Sequence, residues 1–181
     1  MVPELILIAM LIGWISGGRL QRLGDARIRH WWLILVPVAV YAAGWIFYAY
    51  PSLGSLSRLA GPMHLAEKIA LFVFVLANIR IPGARLVLVG MALNLLALSA
   101  NGGIMPASPS AVAEVFGKGA VPPLRSIIMD ASSGFKFLCD IVPARRPFVL
   151  IPAVYSVGDL VMSLGIFIAI IGLMRTPSKT A

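Results

Sequence analysis

Five apolar runs separated by short gaps that gather basic side chains leave this chain few folds to choose from. The runs cover about 3–16, 31–50, 63–79, 86–100 and 149–174. At 1.5 Å of rise per residue, each comes near the length that a hydrocarbon core of about 30 Å requires, the first and fourth falling short. The chain is 60% hydrophobic and only 12% charged, against roughly a quarter charged in soluble domains. The reading is all-α: a polytopic transmembrane helix bundle forming a single integral membrane domain over 1–181, with a long outer segment, 101–147, containing short helices. Trp31, Trp32, Tyr48 and Tyr50 edge the second run as interface anchors, and Pro37 interrupts it.

The formal charge of +8 does not point to nucleic acid, because the positions follow the positive-inside rule and no RNP, zinc-finger or basic-helix signature is present. Arg19, Arg22, Arg27 and Arg29 follow the first run, Arg80 and Arg85 the third, and Arg175 and Lys179 the last. These gaps are expected on the cytoplasmic side of a cell membrane, with the N-terminus outside and the C-terminus inside. Lys118, Arg125, Lys136, Arg145 and Arg146 fall on the other side and weaken the bias. The first run precedes its positive charges, the reverse of a cleavable signal peptide. A single cysteine, Cys139, rules out an internal disulfide.

Within the outer segment, Ser108-Pro109 predicts a helix start and Gly117 its end. Pro122-Pro123 resets the chain, and Leu124 to Leu138 reads as an interfacial or re-entrant element.

Asp159 stands inside the last apolar run, where an unpaired carboxylate costs several kcal/mol and is by default a functional candidate. Asp159, Asn101 and His64 each lie sixteen residues from a cytoplasmic arginine, a depth of about 24 Å along a helix. They are expected in one layer under the outer surface, with Glu67 and Lys68 one turn deeper. Other readings stand beside this one. Ser156-Val157-Gly158-Asp159 matches a capping box. Asn94 and Asn101, seven apart on one helix face, serve equally as interhelical hydrogen-bond glue. Adjacent Glu67 and Lys68 do not face each other on a helix and are expected to pair with other spans, or Lys68 to snorkel. Ala9, Gly13 and Gly17 form a packing stripe. Asp130 reads as solvated. His30 and His64, on opposite sides, argue against a histidine metal site, and no cofactor is called for. P-loop, G-x-S-x-G and HExxH patterns are absent.

Asn101-Gly102-Gly103-Ile104-Met105-Pro106, Asp140-Ile141-Val142-Pro143 and Ser156-Val157-Gly158-Asp159 together resemble a family of small prokaryotic membrane proteins known only as a domain of unknown function. A second likeness is local. Phe137-Leu138-Cys139-Asp140, then Tyr155-Ser156-Val157-Gly158-Asp159 with its aspartate nineteen positions after Asp140, and a terminal span, is similar to the end of the lipoprotein signal peptidases, which are intramembrane aspartyl peptidases. Ser156 stands where their motif has asparagine, and Gly158 where it has alanine.

That resemblance implies Asp140 and Asp159 as a catalytic pair; Asn101, Gly102, Gly103, Ser156, His64 and Asn94 are the candidates for binding or orienting a substrate. Two close carboxylates share a proton, one acting as base toward water and the other as acid toward the leaving group. The expected function is an aspartyl hydrolase acting at the outer leaflet on a membrane-anchored peptide or lipid. Two alternatives stand: a non-enzymatic bundle binding a lipid, a small molecule or a partner membrane subunit, and a small proton-coupled carrier titrating Glu67, Lys68 and Asp159.

Overall fold

Apolar runs become helices at each expected place. The computed structural model describes residues 2–26, 28–49, 60–120 and 126–176. The helices are α1 (Val2–Ile15), α2 (Gln21–Gly24), α3 (Leu35–Ala49), α4 (Ala60–Ala77), α5 (Ala84–Ala100), α6 (Pro109–Phe116) and α7 (Val157–Arg175). Among the described residues one helix, α7, is long and apolar enough to cross a membrane by length and composition, with 19 residues and a mean hydropathy of 2.3. α1 and α5 are apolar and shorter. Arg27, Tyr50, residues 51–59, Pro122-Pro123, Leu124, Arg125 and Lys179 lie outside the described residues, as does the side chain of Tyr48.

Glycine decides how the two central helices meet. Gly83 and Gly90, at either end of one stripe of α5, stand seven residues apart, as do Gly158, Gly165 and Gly172 on α7. A Cβ on Gly90 would lie 2.4 Å from the Gly158 carbonyl oxygen, and one on Gly83 would lie 2.1 Å from that of Gly165. The helices therefore run antiparallel, with backbones nearly touching, in the manner of small-residue stripes in membrane bundles. α1 packs on the other side of α7. Ala9 is fully buried, and Gly13 and Gly18 meet Met174. Gly17 does not join this stripe as expected. Its φ of +82° ends α1, and open space surrounds its α-carbon.

Two boundaries differ from expectation. The last helix begins at Val157, not Val149, because Ser156 and Asp159 close a capping box there. Pro37 does not break the second run. It occupies the first turn of α3, where no intrahelical amide is needed, and a 3₁₀ turn at Trp31–Ile34 precedes it.

The all-α reading is also incomplete. β1 (Met105–Ala107) pairs in parallel with β2 (Ser126–Ile128), and β3 (Val142–Ala144) pairs antiparallel with β4 (Ala153–Tyr155). Strands of three residues are too short to display a two-residue period. β2 and a 3₁₀ turn at Lys136–Leu138 stand where a re-entrant element was one expectation. α6 starts after Ser108 with Pro109 first and ends at Gly117, φ +98°, as the sequence indicates. The Ser108 hydroxyl bonds that of Ser110 instead of capping a backbone amide. An apolar cluster is formed by Ala97, Leu98, Met105, Leu138 and Cys139, with Leu65, Leu93 and Met129 packed against it.

Candidate functional site

The start of α7 is a closed ring of hydrogen bonds. The Asp159 amide donates to Ser156 Oγ at 2.9 Å, and the Ser156 amide donates to Asp159 Oδ2 at 3.0 Å. Asn94 reaches in from α5. Its Nδ2 donates to Asp159 Oδ1 at 2.8 Å, and its Oδ1 accepts from Ser156 Oγ at 2.8 Å. Gly158 makes room for this amide, since a Cβ there would lie 2.1 Å from Asn94 Oδ1. Each residue of Ser-Val-Gly-Asp except the valine thus has a local job. The carboxylate is held by two donors at the start of the helix.

Asp140 arrives from the opposite direction. Its amide donates to the Pro106 carbonyl at 3.0 Å, and its own carbonyl accepts from the Ser108 amide at 2.8 Å, so it bridges to β1 at Ala107. One residue later the Ile141 amide donates to the Tyr155 carbonyl at 3.1 Å. Asp140 is therefore the joint between the two sheets.

Asp140 and Asp159 line one cavity of about 270 Å³, together with His64 and Lys68 from α4, Asn94 and Leu98 from α5, Met105, and Ser126. Burial, and after it the negative charge of Asp159, pushes the Asp140 carboxyl up to about 7. His64 Nδ1 lies 3.0 Å from the Gly103 carbonyl. That oxygen can only accept, so Nδ1 carries the hydrogen. Lys68 Nζ bonds Glu67 Oε1 at 3.2 Å. The expectation that these neighbours would not meet is corrected. The long lysine stem folds back along the helix surface, and buried Glu67 gains a counter-charge on its own turn.

Of the sequence candidates, Asp140, Asp159, Asn94 and His64 line the cavity, and Ser156 braces it from behind. Asn101 faces elsewhere. Its Nδ2 donates to the Ala97 and Gly134 carbonyls at 2.6 and 3.1 Å, and its Oδ1 accepts from the Gly134 amide at 2.9 Å. It clamps the turn at Gly134 onto the end of α5. Gly102 and Gly103, with φ of +65° and +82°, end that helix, and Gly103 enters the site only through its carbonyl to His64. Ser126 carried no sequence signal, whereas Met105 was visible within the Asn101–Pro106 motif and Lys68 as a charge in an apolar run. Asp130 is fully exposed and accepts from Ser132 and Ser133, which holds its carboxyl below the usual range. Among the described residues no group of three or more His, Cys, Asp or Glu is placed to hold a metal ion.

These features define a predominantly helical protein with a membrane-length terminal helix, whose capped start forms one wall of a polar, two-carboxylate cavity. The chain belongs to DUF5317, a family of unknown function, whose family model matches residues 25–171. No curated protein and no solved structure matches it.

Proposed function

We propose that this protein is a multi-pass membrane hydrolase of aspartyl type, cutting a membrane-anchored peptide or lipid at the outer face. The observation that carries the reading is the meeting of Asp140 and Asp159, from separate parts of the chain, in one cavity. Their environments differ in the direction that acid–base division needs. Asp159 accepts two hydrogen bonds at a helix N-terminus and is the partner assigned as the base. Asp140, pushed up to about 7, keeps its proton near neutral pH. In hydrolysis, Asp159 takes a proton from water as its oxygen attacks the scissile carbonyl. Asp140 gives its proton to the carbonyl oxygen; as the tetrahedral adduct collapses, Asp159 passes the proton it took from water to the leaving amine or alkoxide, and Asp140 recovers a proton from the adduct's hydroxyl. The similarity of Phe137–Asp140 and Tyr155–Asp159 to the lipoprotein signal peptidases supports the same assignment.

A second reading is a ligand-binding bundle without catalysis. It is favoured by one observation: both oxygens of Asp159 already hold partners within the fold. Reconstituted protein is to be incubated with lipidated peptides and with labelled membrane lipid, and the products read by mass spectrometry. Hydrolysis by the wild type that is lost in both Asp140→Asn and Asp159→Asn, with folding preserved, is the expected result. Turnover surviving in either variant removes the pair as the catalytic unit. Saturable binding with no turnover leaves the binding reading.

A further inference from the structure

The two aspartates sit at the two feet of one β-hairpin. Asp140 precedes β3 by two residues, and Ser156, the cap of α7, follows β4 directly. The connection between the strands, residues 145–152, is among the most apolar exposed surfaces of the protein. Phe148 is 84% exposed, Leu150 58% and Ile151 62%, while Val149 between them is buried and roots the loop. Arg145 and Arg146, both exposed, begin the same loop. The Leu150 amide donates to the carboxylate of Glu4 in the first turn of α1. That bond holds the loop level with the ends of α1 and α7, where an apolar helix would leave a bilayer.

From this placement we infer that the hairpin tip is a membrane-surface contact, seating Phe148, Leu150 and Ile151 in the acyl boundary of an anionic phospholipid leaflet. Arg145 and Arg146 meet its phosphates. Continuity with the membrane-length α7 selects lipid over a soluble partner, because a tip tied to the end of a spanning helix lies at the interface by geometry. The charge order also fits, since guanidinium groups beside large apolar side chains are the usual composition of an interfacial anchor. The tip then holds the two carboxylates at the depth where a lipid-anchored chain emerges. The inference rests on the membrane reading of α7 and does not require that the cavity be catalytic.

The test uses the full-length protein in nanodiscs of neutral phosphatidylcholine, with and without phosphatidylglycerol. Phe148→Cys and, separately, Ile151→Cys carry an environment-sensitive fluorophore. The unsubstituted protein, with Cys139 fully buried, is the labelling blank. Lys118→Cys, an exposed site outside the hairpin, is the comparison. At positions 148 and 151, nitroxide placed shallow on the lipid chains should remove most of the emission, and a soluble nickel quencher should remove little. The lipid quenching should deepen with phosphatidylglycerol and lose that dependence in an Arg145→Gln, Arg146→Gln background. Quenching by soluble nickel alone would place the tip in water and overturn the inference. Protection from both quenchers would mean that protein, such as a second copy of the chain, covers the tip, and would overturn it equally. Absence of hydrolysis in the turnover assay leaves this readout unaffected, so the two readings fail independently.

Discussion

Replacing Gly158 by alanine tests how the helix packing and the cavity are joined. A methyl group there would sit 2.1 Å from Asn94 Oδ1 and 2.6 Å from the Gly90 carbonyl oxygen. The second obstacle is backbone, so it cannot rotate away. α5 and α7 must separate, or Asn94 must leave Asp159 and Ser156. Overpacking costs about 1–3 kcal/mol. Stripping buried Ser156 and the Asp159 carboxylate of their amide partner costs a further ~1–3 kcal/mol. Against this, alanine gains about 1 kcal/mol over glycine in a helix. The net expectation is a destabilisation of about 1–5 kcal/mol. For a chain of this length each kcal/mol lowers the unfolding midpoint by about 2–4 °C on the scale of soluble proteins. The assay is thermal unfolding in nanodiscs followed by circular dichroism. Gly24→Ala, at a position at the end of α2 with open space around it and no positive φ, is the control and should leave the midpoint unchanged or slightly raised. A midpoint for Gly158→Ala equal to that of Gly24→Ala would refute the close α5–α7 contact and the bracing of Asp159 by Asn94.

Three further outcomes are expected. Because the folded state raises Asp140 to about 7 from about 4 in the unfolded chain, the folded state binds the extra proton inside that window. Stability is therefore full below pH ~4 and falls as pH rises to about 7, by up to about 4 kcal/mol at 1.36 kcal/mol per unit, and Asp140→Asn should flatten the profile. A profile that rises over the same window would reverse the assignment, and labelling of Asp140 by a hydrophobic carbodiimide should fade across it. Asn101→Ala should speed amide exchange at residues 130–135 and cost about 1–3 kcal/mol through the lost clamp on Gly134; if instead it abolishes turnover without loosening that turn, Asn101 has a role in the cavity. For orientation, Lys118→Cys should react with an impermeant thiol reagent on intact cells and Gly24→Cys should not, and the opposite pattern would overturn the sidedness expected from the arginine clusters.

Local signals determined a good share of this structure. Runs of apolar residues set where α1, α3, α4 and α5 lie, since helix formation follows sequence within a few turns. Ser108-Pro109 and Gly117 bounded α6, and the spacing of Ser156 and Asp159 matched the capping box that starts α7. Asp159 itself was legible because an acid among aliphatic residues violates the local pattern.

What sequence could not choose was which polar groups meet. Asn94 and Asn101 are seven residues apart and share a helix face, so periodicity treats them alike. Only the docking of α5 on α7, pinned where Gly90 faces Gly158 and Gly83 faces Gly165, delivers Asn94 to Asp159 and leaves Asn101 to clamp Gly134. Asp140 reaches the cavity through hydrogen bonds to Pro106, Ser108 and, one residue on, Tyr155, partners 15 to 34 positions away in the chain. No window of sequence contains that information. The sequence by itself determined the helices and the one costly acid, because backbone hydrogen bonding and burial are local or compositional. The tertiary structure alone decided the cavity, because its walls depend on the register between elements, and that register is set by contacts between glycine backbones that carry no side-chain signature.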